Sequence, residues 1–196
     1  MAKSDPASAK KERAKAAKWV ITIFFVTIFI SGTISLLSDI LMENSTMAVA
    51  FLILLVIILV GIIFDIIGMA VATADEKPFH SMAARKVPGA QESIRLLRNA
   101  ERVSSICNDV VGDICGVVSG SASATIAAQI LRNFEFTWPQ IISLLMSALA
   151  AGLTVGGKAI GKSFAVNSCT SIVHGVGRVI HSLNRIPGMF RKKKKK

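Results

Sequence analysis

Cysteine is scarce in this chain of 196 residues, and so are acids. Its three cysteines, Cys107, Cys115 and Cys169, form no C-x-x-C spacing. That excludes a disulfide framework or a zinc site and leaves them as small apolar packing residues. G-x-S-x-G, H-E-x-x-H and any Cys/His pair in register are also missing. Hydrolytic and nucleophilic catalysis therefore have no carrier, and no enzyme is expected. The three histidines, His80, His174 and His181, belong to no ligand cluster and read as interfacial residues. Twelve acids face 23 lysines and arginines, a formal charge of +11, yet 52% of the residues are hydrophobic. A nucleic-acid binder is basic but seldom this apolar, so no nucleic-acid partner is expected.

Charge itself is absent from two long stretches. Trp19 to Leu37 and Ala48 to Phe64 carry none, and Asp65 is the only charge from there to Asp75. Spanning a bilayer takes about 20 mostly apolar residues, so both read as transmembrane helices. The first has an apolar core longer than a signal peptide's and no A-x-A-like site after it, so it reads as retained. Two weaker candidates follow. One is Val103 to Leu131, and the other is Trp138 to Val155, which opens on the anchor Trp138-Pro139. Four crossings make an all-α integral membrane protein. The short turn at Glu43-Asn44-Ser45 predicts that the first two helices are antiparallel neighbours.

The basic residues orient it. Six lysines and arginines lie in 1–18, six in 73–102, one at Arg132 and ten from Lys158 onward. With the N-terminus in the cytoplasm, 22 of the 23 fall inside, in keeping with the positive-inside rule. The expected protein is thus a multi-pass protein of the cell membrane with both termini cytoplasmic. Residues 1–18 form a basic tail, 19–41 the first helix, 49–185 the body, and 186–196 a polybasic tail facing the anionic leaflet. Two amphipathic cytoplasmic helices are expected. One carries Ile94 and Leu97 on a face. The other carries Ile172, Val173, Val176, Val179, Ile180 and Leu183 on one side and His174, Arg178 and His181 on another.

One octet invites a different reading. "GGKAIGKS", Gly156 to Ser163, fits the P-loop pattern G-x-x-x-x-G-K-[ST]. A working P-loop needs a strand before it and an α/β domain around it. Here a Trp-Pro-capped apolar helix precedes it and little chain follows, so the match is read as spurious and no nucleotide is expected.

The intramembrane polar residues need partners. An ionised carboxylate at mid-bilayer depth costs from about 2.5 kcal/mol upward unless paired, hydrated or protonated. Asp109 and Asp113 are four apart and share a helical face, with Asn108 adjacent and Ser105, Gly112, Gly116 and Gly120 as a small-residue groove. Helix two could bring Asp65 into that groove, and hard oxygens of this kind suit Mg2+. Alternatively Asp109 and Asp113 pair with Arg98 or Arg102, the stripe is packing, and Asp65 is the partner of Lys158. Lys158 either snorkels toward water or turns inward and closes the site, since Gly156, Gly157 and Gly161 leave the backbone pliable.

Three stretches, "IIFDIIGMAVATAD" (62–75), "LLRNAERVSSICNDVVGDI" (96–114) and "GGKAIGKSFAV" (156–166), together resemble the transmembrane domain of the cyclin-M/CorC (CorB) magnesium-transporter family. Phe64, Asp65 and Ala70 fall on its F-S-G-S-E-T-A motif, and Asn108 on its I-G-N turn. Gly157, Lys162, Ser163 and Ala165 fall on its G-E-x-x-P-K-s-x-A motif. The two family glutamates fall on Gly68 and Lys158, and the family's CBS pair and C-terminal CorC domain are not expected here. The resemblance implies a three-helix domain with 19–41 as an added helix, a homodimer, and transport of Mg2+ or Co2+ with no covalently bound cofactor. It implies Asp65 and Asn108 as ligands, Asp109 and Asp113 as an acidic entry, and Lys158, Gly68 and Gly157 as positions that gate the site or substitute its charge. The alternative is a transport-inactive scaffold or regulatory subunit that keeps the fold.

Overall fold

The computed structural model describes residues 6–43, 45–134 and 138–192, with side chains assigned for 18–42, 45–134 and 138–184. The outermost parts of both basic tails, Asn44 of the first turn and residues 135–137 lie outside the described residues. Among those described, every element is helical: α1 (Pro6–Glu43), α2 (Met47–Thr73), α3 (Lys77–Ala84), α4 (Ala90–Arg98), α5 (Ala100–Ser105), a π segment (Ile106–Gly112), α6 (Asp113–Asn133), α7 (Pro139–Asn167) and α8 (Cys169–Lys192).

Four helical stretches are long and apolar enough to cross a membrane: Lys18–Met42, Met47–Thr73, Ala100–Asn133 and Pro139–Asn167. The 27 residues of α2 rise about 40 Å at 1.5 Å each, more than the roughly 30 Å of a hydrocarbon core. A helix apolar on all sides has no water-facing stripe, and α2 is such a helix; it stands at the centre, against α6, α7, the π segment and α8. Pro139 in the first turn starts α7, where its missing N–H costs nothing.

The bundle has two ends. At the hairpin end, α1 meets α2 and α6 meets α7, and a cluster around Met42, Leu54, Ile58, Ile126 and Met146 fills the centre. At the cap end, α3, α4, α5 and α8 close over the last turns of α2 and α7. There Phe79 of α3 and Val173 of α8 are fully buried with Ala70, Val71 and Ala165. Lys86 (φ 57°) and Gly89 (φ 87°) make the tight left-handed link between α3 and α4. Of the lysines and arginines within the four spans and the cap, Arg132 alone sits at the hairpin end.

Three expectations need correction. The close partner of α1 is α6 rather than α2. Asp39 accepts hydrogen bonds from Ser121 Oγ (3.4 Å) and Thr125 Oγ1 (3.2 Å), and Gln129 Nε2 donates to Met42 O (2.7 Å). Hydroxyls and an amide spaced four apart along α6 give α1 polar partners that α2 lacks. Next, the helix of the candidate span Trp138 to Val155 extends well past it; α7 runs unbroken to Asn167, and the turn into α8 comes at Ser168 (φ −121°, ψ 20°). Glycine makes this stretch close-packing rather than pliable: a Cβ at Gly157 would strike Ile62, and one at Gly161 would lie 2.8 Å from Ile66 Cγ1. The octet that matches a P-loop is therefore helix interior. Finally, the apolar stripe expected on α8 is divided. Val173 is buried, whereas Val179 and Leu183 face outward.

Candidate polar site between helices α2, α7 and the π segment

Asp65 is a carboxylate almost without water. It is 3% exposed, on the face of α2 that also buries Gly61 and Gly68. It lies about 12 Å along α2 from Thr73, and Lys158 lies about 14 Å along α7 from Asn167, so the two share a level. Lys158 Nζ is 3.6 Å from Asp65 Oδ1 and donates to Gly112 O at 3.3 Å. Lys162, one turn nearer the cap, places Nζ 4.0 Å from Asp65 Oδ2, too long for a hydrogen bond. Of the two orientations open to Lys158, the inward one is adopted. Two ammonium groups face one carboxylate.

The third wall is the π segment. A wider turn of this kind inserts a residue into the helix and redirects the side chains around it. Here it covers Ile106–Gly112 and so includes Asn108 and Asp109. Asn108 Nδ2 donates to Ser104 Oγ at 3.2 Å, while its Oδ1 points at Gly68, against the place where a Cβ would stand. A Cβ at Gly112 would come 3.2 Å from both Asp65 Oδ1 and Lys158 Nζ. Both glycines exist so that polar groups can approach the backbone. No side chain fits at Gly68 while the Asn108 amide oxygen holds this position.

Two oxygens of this layer are unsatisfied. Asp65 Oδ2 and Asn108 Oδ1 are buried and accept no hydrogen bond. Buried acceptors usually have a donor, so two in one layer demand a reason. The other sequence candidates do not join them. Asp109 is exposed and accepts from Ser105 Oγ at 2.9 Å; Asp113 is exposed, and Gly116 and Gly120 beside it open onto empty space. Neither arginine proposed for these acids is their partner. Arg98 Nε pairs with Glu76 Oε1 at 3.1 Å, and Arg102 lies over the Trp19 ring at 5.8 Å. Among the described residues no group of three or more His, Cys, Asp or Glu is arranged to hold a metal.

Sequence reading passed over several contacts. Glu76 and His80 are four apart on one helical turn and meet at 3.2 Å, a spacing that could have been read. His181 Nδ1 meets Glu92 Oε1 at 3.0 Å, and His174 Nε2 meets Pro88 O at 3.2 Å. Asp39 was left unremarked although it is a carboxylate within a candidate span. No family model, no curated protein and no solved structure matches this chain, and its function has to be read from the Asp65 layer itself.

Proposed function

We propose that this is a multi-pass cell-membrane protein that carries divalent cations, Mg2+ foremost, and that the conformation described is its closed one. The observation that carries this reading is the pair of buried, unsatisfied oxygens, Asp65 Oδ2 and Asn108 Oδ1, with the Gly112 carbonyl held by the same Lys158 ammonium that faces Asp65. Carboxylate, amide and carbonyl oxygens are the donors a hard cation selects, and Mg2+ would keep several waters besides. In the closed state the Lys158 ammonium stands in for the ion's charge. Entry of a cation requires Lys158 to rotate away from Asp65. The resemblance of the three quoted stretches to the CorC family supports the same assignment, with Asp109 and Asp113 as the acidic approach.

The cap end is the cytoplasmic end in this reading, because Arg132 is the one basic residue of the bundle at the hairpin end. The protein acts as a homodimer. Asp113, midway along the Ala100–Asn133 span, and the glycines Gly116 and Gly120 after it lie on an open face of α6, and a lipid-facing carboxylate there costs about 2.5–3.5 kcal/mol. A second copy covers that face.

A second reading is favoured by one observation, the ion pair itself. Asp65, Lys158 and Lys162 together carry a net positive charge, which repels a cation. A scaffold or regulatory subunit that kept the fold and lost the ion would look like this. Proteoliposomes loaded with a Mg2+-sensitive dye separate the two. The carrier reading expects uptake in the parent that Asp65→Asn and Asn108→Ala each abolish. No uptake, together with no calorimetric response to any divalent cation, selects the scaffold.

A further inference from the structure

Over its described side chains, Cys169 to Asn184, helix α8 is gripped on one side only. Val173 is fully buried at the cap end of α2, and Ser93 Oγ donates to its carbonyl at 3.1 Å. The glycines Gly89 and Gly177 bring α4 and α8 into backbone contact, and a Cβ on Gly177 would lie 2.5 Å from Gly89 O. His174 at Pro88 O and His181 at Glu92 add two more ties. These contacts fix the rotation of α8 about its own axis.

With the rotation fixed, Val179 and Leu183 are 59% and 58% exposed, four apart and so on one line, and Arg178 is exposed beside them. From Cys169 to Lys196 the sequence holds eight lysines and arginines and not one acid. The helix starts two residues after a candidate membrane span ends and packs against the end of another. An apolar line flanked by cations, held at that level, matches a lipid leaflet of negative charge: the apolar side chains enter the acyl boundary and the cations meet the headgroups. A soluble acidic partner has charge complementarity alone and gives Val179 and Leu183 no apolar phase.

We infer that the outward face of α8, with Val179 and Leu183 at its centre and Arg178 beside them, docks on an anionic lipid leaflet. The inference is independent of whether the protein moves ions. It is tested on the full-length protein in nanodiscs of phosphatidylcholine alone and of an equal mixture with phosphatidylglycerol, by amide hydrogen exchange over 178–192. The expected result is exchange slowed about tenfold or more in the anionic discs. The slowing should be lost in the double variant Val179→Asp/Leu183→Asp, with exchange in α2 unchanged as proof of folding. A second variant, glutamine at Lys192 to Lys196, should weaken the effect. Equal exchange in both lipids overturns the inference. So does slowing that survives the double variant, and so does slowing in phosphatidylcholine discs produced only by a soluble polyanion such as heparin.

Discussion

The Lys158 ammonium has Asp65 Oδ1 on one side and Gly112 O on the other, so its substitution changes the sign of the whole layer. Lys158→Glu sets two carboxylates against each other with only Lys162 nearby. The variant should be less stable than the parent without divalent cations, and millimolar Mg2+ should raise its melting temperature where the parent responds weakly. A variant that folds and responds to Mg2+ no better than the parent excludes an ion site at this position. At Gly68 the expectation concerns space. Gly68→Ala pushes a Cβ into the Asn108 side chain and should cost about 1–3 kcal/mol. Asn108→Ala added to it should return most of that loss. A double-mutant cycle by thermal unfolding measures the coupling, and additive losses would show that the two residues do not share this space. The need for a partner at Asp65 was legible in the sequence, because a lone carboxylate among apolar residues is expensive wherever it lies. The meeting of Asn108 and Gly68 was not, since it depends on the extra residue of the π segment, which no periodicity announces.

Among elements, the four apolar spans were readable from length and scarcity of charge, whereas the end of α7 lies twelve residues beyond Val155, because Lys158 and Lys162 sit inside the helix instead of marking its end. Their neighbours were less readable. A short turn suggested that α1 lies on α2, but Asp39 finds hydroxyl donors on α6, and side-chain chemistry across a groove outweighs nearness in sequence. The glycines of α7 were read as slack because nothing in the sequence shows that Ile62 and Ile66 press against them. The tie between α4 and α8 yields a pH prediction. Glu92 titrates below its ordinary value of 4.5, chiefly because His181 donates a hydrogen bond to it; a backbone hydrogen bond and the charges of His181 and Arg95 add to this, and burial opposes it. A depressed carboxylate contributes stability above its unfolded value and loses it as pH falls through the folded one. The α4–α8 contact should therefore hold at about pH 6 and loosen at about pH 3. Hydrogen exchange across 173–181 reads the change, and Glu92→Gln should show a weaker contact at the higher pH and a smaller difference between the two. An equal pH response in both proteins removes Glu92 from the latch.

For the whole molecule, the uncovered face of α6 is the feature that a single copy leaves unexplained. Cysteine placed at Gly116 or Gly120, in a background lacking the native cysteines, should cross-link two copies under mild oxidation in membranes. Cysteine at Phe29, 76% exposed on the outer side of α1, should not. Cross-linking at Phe29 alone would move the dimer contact to α1. In the sequence, a dimer was suggested only by the family resemblance, because a stripe of small residues looks the same whether it faces a neighbour within the chain or one outside it. One last consequence comes from the contact between Gly89 and Gly177. A Cβ on Gly89 would stand 2.5 Å from Arg178 N, so the two backbones touch with no compressible side chain between them. Such a joint has no play. It works as a fulcrum: a push on α8 is passed on to α4 instead of being absorbed at this contact. Since α8 also bears on the end of α2, any force on the outer arm of this lever reaches the helix that carries Asp65.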